Sequence, residues 1–273
     1  MKLSLCIQTP EVPVTVPVAL LSGSFDEKLE KAARLGVDGV ELLTADPARL
    51  DPAALRNSLQ VCNLPVAAVA SGAVAFSAGL TLLHSDPAQA EQARARLYAL
   101  IDLAHALQAP LVTVGSFRGR LAGAAPDGRQ HLADLLCQAA DYAAPRGVRL
   151  VIEPLNRYET DLIHNSTEGL AFLEQAQHPG LGLLLDTYHV NIEESSWTAP
   201  FRQGMVSGKL WHVHIGDNNR LPPGCGLIDF KAILAALHQA GYPGYLSAEL
   251  LARSDPDQAA RLSVEFLKNI LPG

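Results

Sequence analysis

The sequence predicts a TIM-type (β/α)₈ barrel, because short apolar segments alternate with longer helical segments along the whole chain. Eight segments have the length and the Val, Leu and Ile content of buried parallel strands, and a helical pattern follows each of them. The predicted strands are 2–7, 39–43, 66–70, 111–114, 149–153, 182–186, 210–214 and 244–249. The predicted helices are 25–35, 52–59, 87–107, 130–144, 167–175, 198–207, 230–240 and 256–270. A doubly wound Rossmann sheet is the alternative, but no Gly-x-Gly-x-x-Gly motif follows any of the strands.

Local sequence signals support the ends of several helices. Ser24 can cap the first helix, and Glu27 three residues later completes a capping box. Asp86-Pro87 combines a capping carboxylate with a proline at the first helical position. Gly36 and Gly241 follow two other helix ends, where a left-handed residue favours glycine. These signals place helix boundaries where the alternation of apolar segments requires them.

Length and composition predict one large domain that covers residues 1–273. Apolar residues make up 48% of the sequence and charged residues 18%, which is enough for a substantial core. The formal net charge of −7 argues against nucleic acid as a partner, because phosphate binding depends on Lys and Arg. The sequence has no apolar run of membrane-spanning length and begins in strand-like residues rather than a signal peptide, so we expect a soluble, cytoplasmic protein without membrane contacts. Widely spaced cysteines predict neither a disulfide framework nor a thiolate zinc site. They are Cys6, Cys62, Cys137 and Cys225.

Four successive predicted strands end in an acidic or imidazole side chain. These residues are Glu153, Asp186, His214 and Glu249. A carboxylate buried at the tip of an apolar strand is costly unless a cation or another partner compensates it. Because the C-terminal ends of barrel strands meet at one face, we expect the four side chains to converge on a divalent metal. Helix capping, or pairing with Arg157 or Arg149, would explain one acid alone, but the repetition favours the metal.

The imidazole ligand has a neighbour of the same type. His212 lies two residues before His214 and therefore on the same face of its predicted strand. We interpret His214, which is nearer the C-terminal end, as the ligand, and His212 as a satisfied histidine one layer below. Three carboxylates and one imidazole form an oxygen-rich donor set that suits Mn²⁺, Mg²⁺ or Co²⁺.

The loops after the predicted strands carry candidate substrate-binding residues. Glu159, His189 and Arg220 follow the fifth, sixth and seventh strands, where they are placed to contact hydroxyls of a metal-bound molecule. Arg118 and Arg120 follow the fourth strand at the same face. We interpret these two arginines as a clamp for a carboxylate or phosphate at the far end of the substrate, because Arg favours bidentate oxyanion contacts. A solvated loop or an intermolecular salt bridge explains them equally well.

Three segments give the sequence a specific resemblance to a known family. They are IEPLNRYETD at 152–161, LLDTYHVNIEE at 184–194 and HVHIGDNNRLPPGCG at 212–226. These segments resemble the ketose 3-epimerases, a group that includes tagatose and psicose 3-epimerases and 5-keto-L-gluconate epimerase-like proteins within the xylose isomerase-like barrel superfamily. The resemblance extends to GLTLLHSD at 79–86, RGR at 118–120 and GYLSAE at 244–249.

The resemblance implies roles for the candidate residues. The four strand-end residues would bind a divalent metal, usually Mn²⁺, and Glu159, His189 and Arg220 would contact a sugar substrate around C1–C3. Barrels of this kind often form homodimers or homotetramers. Residues 163–167 and 217–218 depart from the commoner family pattern, so the resemblance leaves the particular ketose open.

The expected activity is epimerisation of a ketose or keto-sugar acid at C3 through a cis-enediolate. Inversion requires one carboxylate on each face of the planar intermediate, and Glu153 and Glu249 fit this demand. A sugar or hydroxypyruvate-type aldose–ketose isomerase is the close alternative, because the same enediolate can be reprotonated at C1. More distant alternatives are an apurinic-site endonuclease-like metallonuclease, which needs further His ligands and a basic surface, and a sugar-binding barrel without activity.

Overall fold

A computed structural model describes residues 1–121, 127–253 and 255–271, and it forms a closed barrel of eight parallel strands in chain order. Each strand pairs with the next, and the last strand pairs with the first. The strands are β1 (Lys2–Gln8), β2 (Gly39–Leu43), β3 (Val66–Ala70), β4 (Leu111–Val114), β5 (Arg149–Ile152), β6 (Leu181–Asp186), β7 (Leu210–Ile215) and β8 (Tyr245–Ala248). The predicted (β/α)₈ barrel is confirmed.

Helices connect the strands on the outside of the barrel. They are α1 (Phe25–Leu35), α2 (Pro52–Val61), α3 (Gly72–Ala78), α4 (Pro87–Ala106), α5 (Gly128–Ala143), α6 (Ser166–Ala176), α7 (Thr187–Glu193), α8 (Ala199–Val206), α9 (Phe230–Gln239) and α10 (Pro256–Ile270). Short 3₁₀ turns cover Pro47–Arg49, Ser116–Arg118 and Ala144–Arg146. No helix in the described part of the chain is long and apolar enough to cross a membrane.

The capping signals act as predicted. The Ser24 hydroxyl accepts a hydrogen bond from the Glu27 N–H, and the Glu27 carboxylate accepts one from the Ser24 N–H. The Asp86 carboxylate accepts from the N–H of Ala88 at the start of α4. Gly36 ends α1 with a φ of 67°, in the left-handed region that favours glycine.

Two short helices at the C-terminal face were not predicted. Both α3 and α7 have only 7 residues, which is too short for a helical period to stand out in the sequence. The α7 helix is capped by the carboxylate of Asp186, which accepts a hydrogen bond from the Tyr188 N–H. Asp186 therefore ends β6 and starts α7, and this fixes the first turn of α7 beside the barrel mouth.

The core consists of an apolar layer between strands and helices and a mixed layer inside the barrel. Phe172, Phe201 and Phe230 of the outer helices are fully buried against the strands. Inside the barrel, buried polar side chains replace the apolar ones towards the C-terminal face. The register of β6 and β7 shifts at a bulge between Leu183 and Leu184, and beyond this bulge Asp186 lies beside His214. Strand pairing thus brings two of the predicted metal ligands together.

Candidate active site

The four predicted ligands converge at the C-terminal face of the barrel. Each offers one ligand atom, and these atoms all lie within 4.8 Å of one another. Asp186 is the last residue of β6 and His214 the last but one of the neighbouring β7, whereas Glu153 and Glu249 follow β5 and β8 directly. All four side chains are buried or nearly so. We call this group the acid–imidazole quartet.

The quartet contains buried polar atoms that lack hydrogen-bond partners. They are Glu153 Oε1, Asp186 Oδ2 and His214 Nδ1. Nδ1 of His214 lies 3.6 Å from Glu153 Oε1 and 3.4 Å from Glu249 Oε2. Unpaired buried polar atoms are costly, and a divalent cation between them would compensate all three at once. The donor set therefore fits a hard cation held by three carboxylates and one imidazole.

The titration of the quartet reflects its burial. Burial raises the pKa of Asp186 to about 7, with Arg220 opposing the rise and the other carboxylates adding to it. Burial also raises the pKa of Glu153. Burial opposes a charged His214, but the carboxylates of Glu41 and Glu249 outweigh it and raise the pKa of the imidazole well above its usual value. A cation that enters the quartet must therefore displace a proton from His214.

Glu41 is a site residue that the sequence analysis missed. It lies in the middle of β2, is fully buried, and accepts hydrogen bonds from Nε2 of His212 at 2.7 Å and Nε2 of His214 at 3.0 Å. Burial opposes its charge, yet the two imidazoles hold the pKa of Glu41 well below its ordinary value. The contact turns Nδ1 of His214 towards the quartet. A lone acid inside the apolar segment GVELL was the available signal.

His212 occupies the place that the sequence predicted. It is fully buried one layer below His214, and Glu41 satisfies its Nε2. His212 is thus buried as predicted, but only its Nε2 has a hydrogen-bond partner, because its Nδ1 has none.

Cys6 lies close to the quartet, which its position in the sequence did not indicate. Its sulfur forms a further group of potential ligand atoms with His214 and Glu249, again within 4.8 Å of one another. Burial raises the pKa of the Cys6 thiol well above its usual value, and Glu41 adds to this effect. The side chain is therefore a neutral thiol beside the oxygen-rich quartet.

His189 lies on α7 with its ring against the quartet. Its Nδ1 accepts hydrogen bonds from the backbone N–H and the side-chain amide of Asn156, at 3.2 and 2.8 Å. Burial lowers the pKa of His189 well below its ordinary value, and Arg220 strengthens the effect. The ring is thus neutral with its proton on Nε2, which lies 3.9 Å from both Glu153 Oε1 and Asp186 Oδ2. His189 is a neutral donor directed into the site.

Asn156 is the second residue that the sequence analysis did not select. It is buried, and its side-chain amide contacts both His189 and Glu159, the latter at 2.9 Å. Asn156 thereby links two of the predicted substrate-binding residues.

Arg220 brings a guanidinium into contact with the quartet. Its Nη2 donates to Glu249 Oε2 at 2.7 Å and lies 3.8 Å from Asp186 Oδ2, while Nη1 lies 3.9 Å from Glu159 Oε1. The guanidinium also stacks on the ring of Tyr188, 4.7 Å from its centroid. The structure thus brings Glu159, His189 and Arg220 together beside the quartet, as the sequence indicated.

These residues line a cavity of about 390 Å³ at the barrel mouth. The side formed by β5–β8 is polar and contains the site residues described above. The opposite side, formed by β1–β4 and the segments that follow them, is mainly apolar. Its side chains include Val16, Val18, Leu43, Ala70 and Phe76.

The two arginines after β4 do not form the expected clamp. Arg118 is fully buried, and its guanidinium donates to the carbonyls of Gly115, Glu153, Leu162 and Ile163 at 2.6–3.1 Å. The prediction that Arg118 binds a substrate oxyanion is wrong, because protein carbonyls occupy both terminal nitrogens. Arg120 is exposed and donates to the carbonyls of Tyr158 and Glu159. It supports the loop that carries Glu159 and is absent from the described lining of the cavity.

Comparison with known proteins identifies the family of this chain. The sequence model of the family described as xylose isomerase-like TIM barrel matches residues 29–270. An L-ribulose 3-epimerase of Methylomonas sp. (strain DH-1) is 34% identical over 225 residues, which are 80% of this chain and 75% of that protein. A ketose 3-epimerase of Arthrobacter globiformis is 29% identical over 253 residues, which are 89% of this chain and 86% of that protein.

Solved structures show the same relationship. A D-allulose 3-epimerase from Methylomonas sp. has a TM-score of 0.80 at 28% identity, over 99% of this chain and 98% of that chain. An AP endonuclease, family 2, from Brucella melitensis has a TM-score of 0.79 at 20% identity over the full length of both chains, and this similarity shows the fold alone. The chain therefore belongs to the xylose isomerase-like TIM barrel family and, within it, to the ketose 3-epimerases.

Proposed function

We propose that this protein inverts the C3 stereocentre of a ketose with the help of a divalent cation held by the quartet. The observation that carries the proposal is the pair of carboxylates from Glu153 and Glu249. They come from different strands of the same barrel mouth, and their ligand oxygens lie within 4.8 Å of one another. An inversion needs two such groups, since one must remove a proton from C3 and another must deliver a proton to the opposite face.

The proton at C3 is too weakly acidic to be removed without stabilisation of the resulting negative charge. When bound, a divalent cation supplies a Lewis acid that polarises the adjacent ketone and lowers the free energy of the enediolate. In one direction Glu249 removes the proton and Glu153 delivers one, and in the reverse direction the two exchange roles. Both glutamates line the cavity, so the proton that one gains and the other loses in a turnover is exchanged with solvent before the next turnover.

The other side chains orient the substrate. His189 presents Nε2–H from a neutral ring, so it can donate to a ketose oxygen without becoming a competing acid. Arg220 lies beside the same region, and its Nη1, which does not bond to Glu249, can donate to a ketose oxygen there. Glu159, held by Asn156, accepts a hydrogen bond from a terminal hydroxyl. These contacts place C3 between the two glutamates.

The charge of the cavity favours an uncharged ketose over a keto-sugar acid or a sugar phosphate. Among the described lining residues, Arg220 is the one Arg or Lys side chain, and it is already paired with Glu249. Three carboxylates, those of Glu153, Glu159 and Glu249, line the same cavity. The proposed divalent cation offsets these carboxylates, and among the described lining residues no further cationic side chain is free to receive an anionic group of a substrate.

The alternatives have less support. All three groups of potential ligand atoms in the described chain contain His214, which argues against the additional His-ligated metal sites that a nuclease needs. The 1,2-isomerase remains distinguishable by its product, because it converts a ketose into an aldose.

Three finer points complete the proposal. The oxygen-rich quartet supports Mn²⁺ as the metal, with Mg²⁺ and Co²⁺ as the other hard candidates. A homodimer or homotetramer and a cytoplasmic location are further predictions. Inductively coupled plasma analysis of the purified protein tests the metal, and light scattering tests the assembly.

The test is product analysis with paired variants. The EDTA-treated protein is reloaded with Mn²⁺ and incubated with ribulose, fructose and tagatose, and the sugars are separated by chromatography. We expect a C3 epimer from the loaded wild type, and at least a hundredfold slower formation by Glu153→Gln and by Glu249→Gln. Glu30→Gln, a change on the outer face of α1, is the control. An aldose product, or full epimerase activity in either site variant, would contradict the proposal.

A further inference from the structure

The turn after β4 contains the largest fully buried charged side chain of the described chain, and the proposed chemistry does not use it. Arg118 lies at the end of the Ser116–Arg118 turn, with no exposed surface. Burial lowers the pKa of its guanidinium to about 10, so it still carries its charge at neutral pH. A buried charge is costly, and here four carbonyls and the nearby carboxylates of Glu153 and Asp161 compensate it.

The carbonyls that Arg118 contacts belong to three separate segments. Nη1 donates to Gly115 O at 3.0 Å and to Glu153 O at 2.6 Å. Nη2 donates to Leu162 O at 2.7 Å and to Ile163 O at 3.1 Å. The guanidinium therefore ties the end of β4, the residue after β5 and the segment before α6 to one another. One of these carbonyls belongs to Glu153 itself.

Gly115 constrains the side chain of the same glutamate, at its carboxylate. A Cβ placed on Gly115 would lie 2.4 Å from Oε2 of Glu153, so the carboxylate occupies the space of the missing side chain. The φ of Gly115 is −99°, which other residues adopt as well. Its ψ of −116° lies outside the regions that other residues commonly adopt, so glycine suits this position through its backbone as well as through the space it leaves.

We infer that Gly115 and Arg118 are positioning residues that set where the Glu153 carboxylate lies in the site. Arg118 holds the backbone of Glu153, and Gly115 leaves room for Oε2. With Oε2 in this space, Oε1 lies 3.6 Å from Nδ1 of His214 and faces the rest of the quartet. The inference rests on the proposed function for its effect on turnover, but its effect on cation binding is independent of the substrate.

The first test is Gly115→Ala. The added methyl group displaces Oε2, and we expect Mn²⁺ affinity to fall by about tenfold or more and kcat by about a hundredfold, because small displacements of a reacting group have effects of this size. The KM for the ketose should change much less than kcat. Mn²⁺ binding is measured by electron paramagnetic resonance on the metal-free protein, and thermal unfolding verifies that the variant is folded.

A double-mutant cycle makes the test specific for Glu153. Glu153→Asp shortens the side chain by one methylene and withdraws the carboxylate from the added methyl group. If Gly115 acts through Glu153, Gly115→Ala should cost far less in the Glu153→Asp background than in the wild type. Effects that simply add would overturn the inference.

Arg118→Lys provides the second test. Lysine keeps the charge but cannot span the carbonyls of three segments, so we expect lower kcat and weaker Mn²⁺ binding. Arg56→Lys, at an exposed arginine that also donates to a backbone carbonyl, is the matched control. Wild-type Mn²⁺ affinity and kcat in a folded Gly115→Ala protein would overturn the inference. Absence of ketose turnover by the wild type, together with weakened Mn²⁺ binding in the variants, would refute the proposed function and leave the positioning role supported.

Discussion

Replacement of Glu41 by glutamine tests how the barrel interior prepares the cation site. The carboxylate accepts Nε2–H from His212 at 2.7 Å and from His214 at 3.0 and 3.2 Å. Glutamine offers only one acceptor oxygen, and its amide N–H₂ group is a donor. In Glu41→Gln, one of the two imidazoles therefore faces a donor, and His214 loses the contact that keeps Nδ1 free for the cation.

The expected loss of Mn²⁺ affinity follows from the hydrogen bond that Glu41 makes to His214. Loss of a hydrogen bond that orients a metal-ligating histidine weakens metal binding by about 10–100-fold, or about 1.4–2.7 kcal/mol. Loss of the Glu41 charge also lowers the pKa of His214, which reduces competition by protons and opposes the effect at low pH. The difference from wild type should therefore be largest near pH 8, where proton competition is weakest.

Isothermal titration of the EDTA-treated protein with Mn²⁺ at pH 8 and pH 6 measures both effects. Glu11→Gln is the control, since Glu11 is another buried acid whose Oε1 accepts two backbone N–H groups outside the quartet. The reasoning is refuted if Glu41→Gln binds Mn²⁺ within twofold of the wild type at pH 8.

Further predictions concern protonation and substrate orientation. Burial raises the pKa of Asp186 in the folded protein to about 7, above the value of 3.8 expected in the unfolded chain. The free energy of unfolding should therefore fall as the pH rises from about 3.8 to 7, because the unfolded chain releases this proton first. The melting temperature of the metal-free wild type should fall over this range relative to Asp186→Asn, and parallel curves would contradict this. Cation binding at pH 7 should release at least one proton, seen as a dependence of the titration enthalpy on the buffer; no such dependence would exclude a protonated His214. Asn156→Ala should lower kcat/KM about tenfold or more and leave the Mn²⁺ affinity unchanged, because His189 and Glu159 lose the amide that orients them. An equal loss of Mn²⁺ affinity would place Asn156 in the metal site instead.

The sequence predicted the features that depend on the periodicity of apolar residues and on the order of the strands. Alternating apolar strands and helices indicated the barrel, and the barrel by itself brings the ends of β5–β8 to one face. The positions of Glu153, Asp186, His214 and Glu249 followed from this topology without knowledge of any contact.

Other features depended on contacts between distant segments. Glu41 reaches His214 across the barrel interior, and no local pattern relates residues separated by 173 positions. Arg118 resembled an oxyanion clamp because its loop lies at the correct face, but only the fold reveals the four carbonyls that occupy it. The short α7 helix was missed because its 7 residues are too few for a helical period to stand out, although its cap, Asp186, was recognised as a possible capping residue.

Deuterium incorporation tests the central claim most directly. The Mn²⁺-loaded protein is incubated in D₂O with an uncharged ketose, the metal is removed, and the sugars are observed by NMR. The proposed mechanism predicts deuterium at C3 of the epimer, no deuterium at C1, and no incorporation after EDTA treatment. Deuterium at C1 or C2 with an aldose product, or epimer formation without deuterium at C3, would contradict a two-glutamate proton transfer at C3.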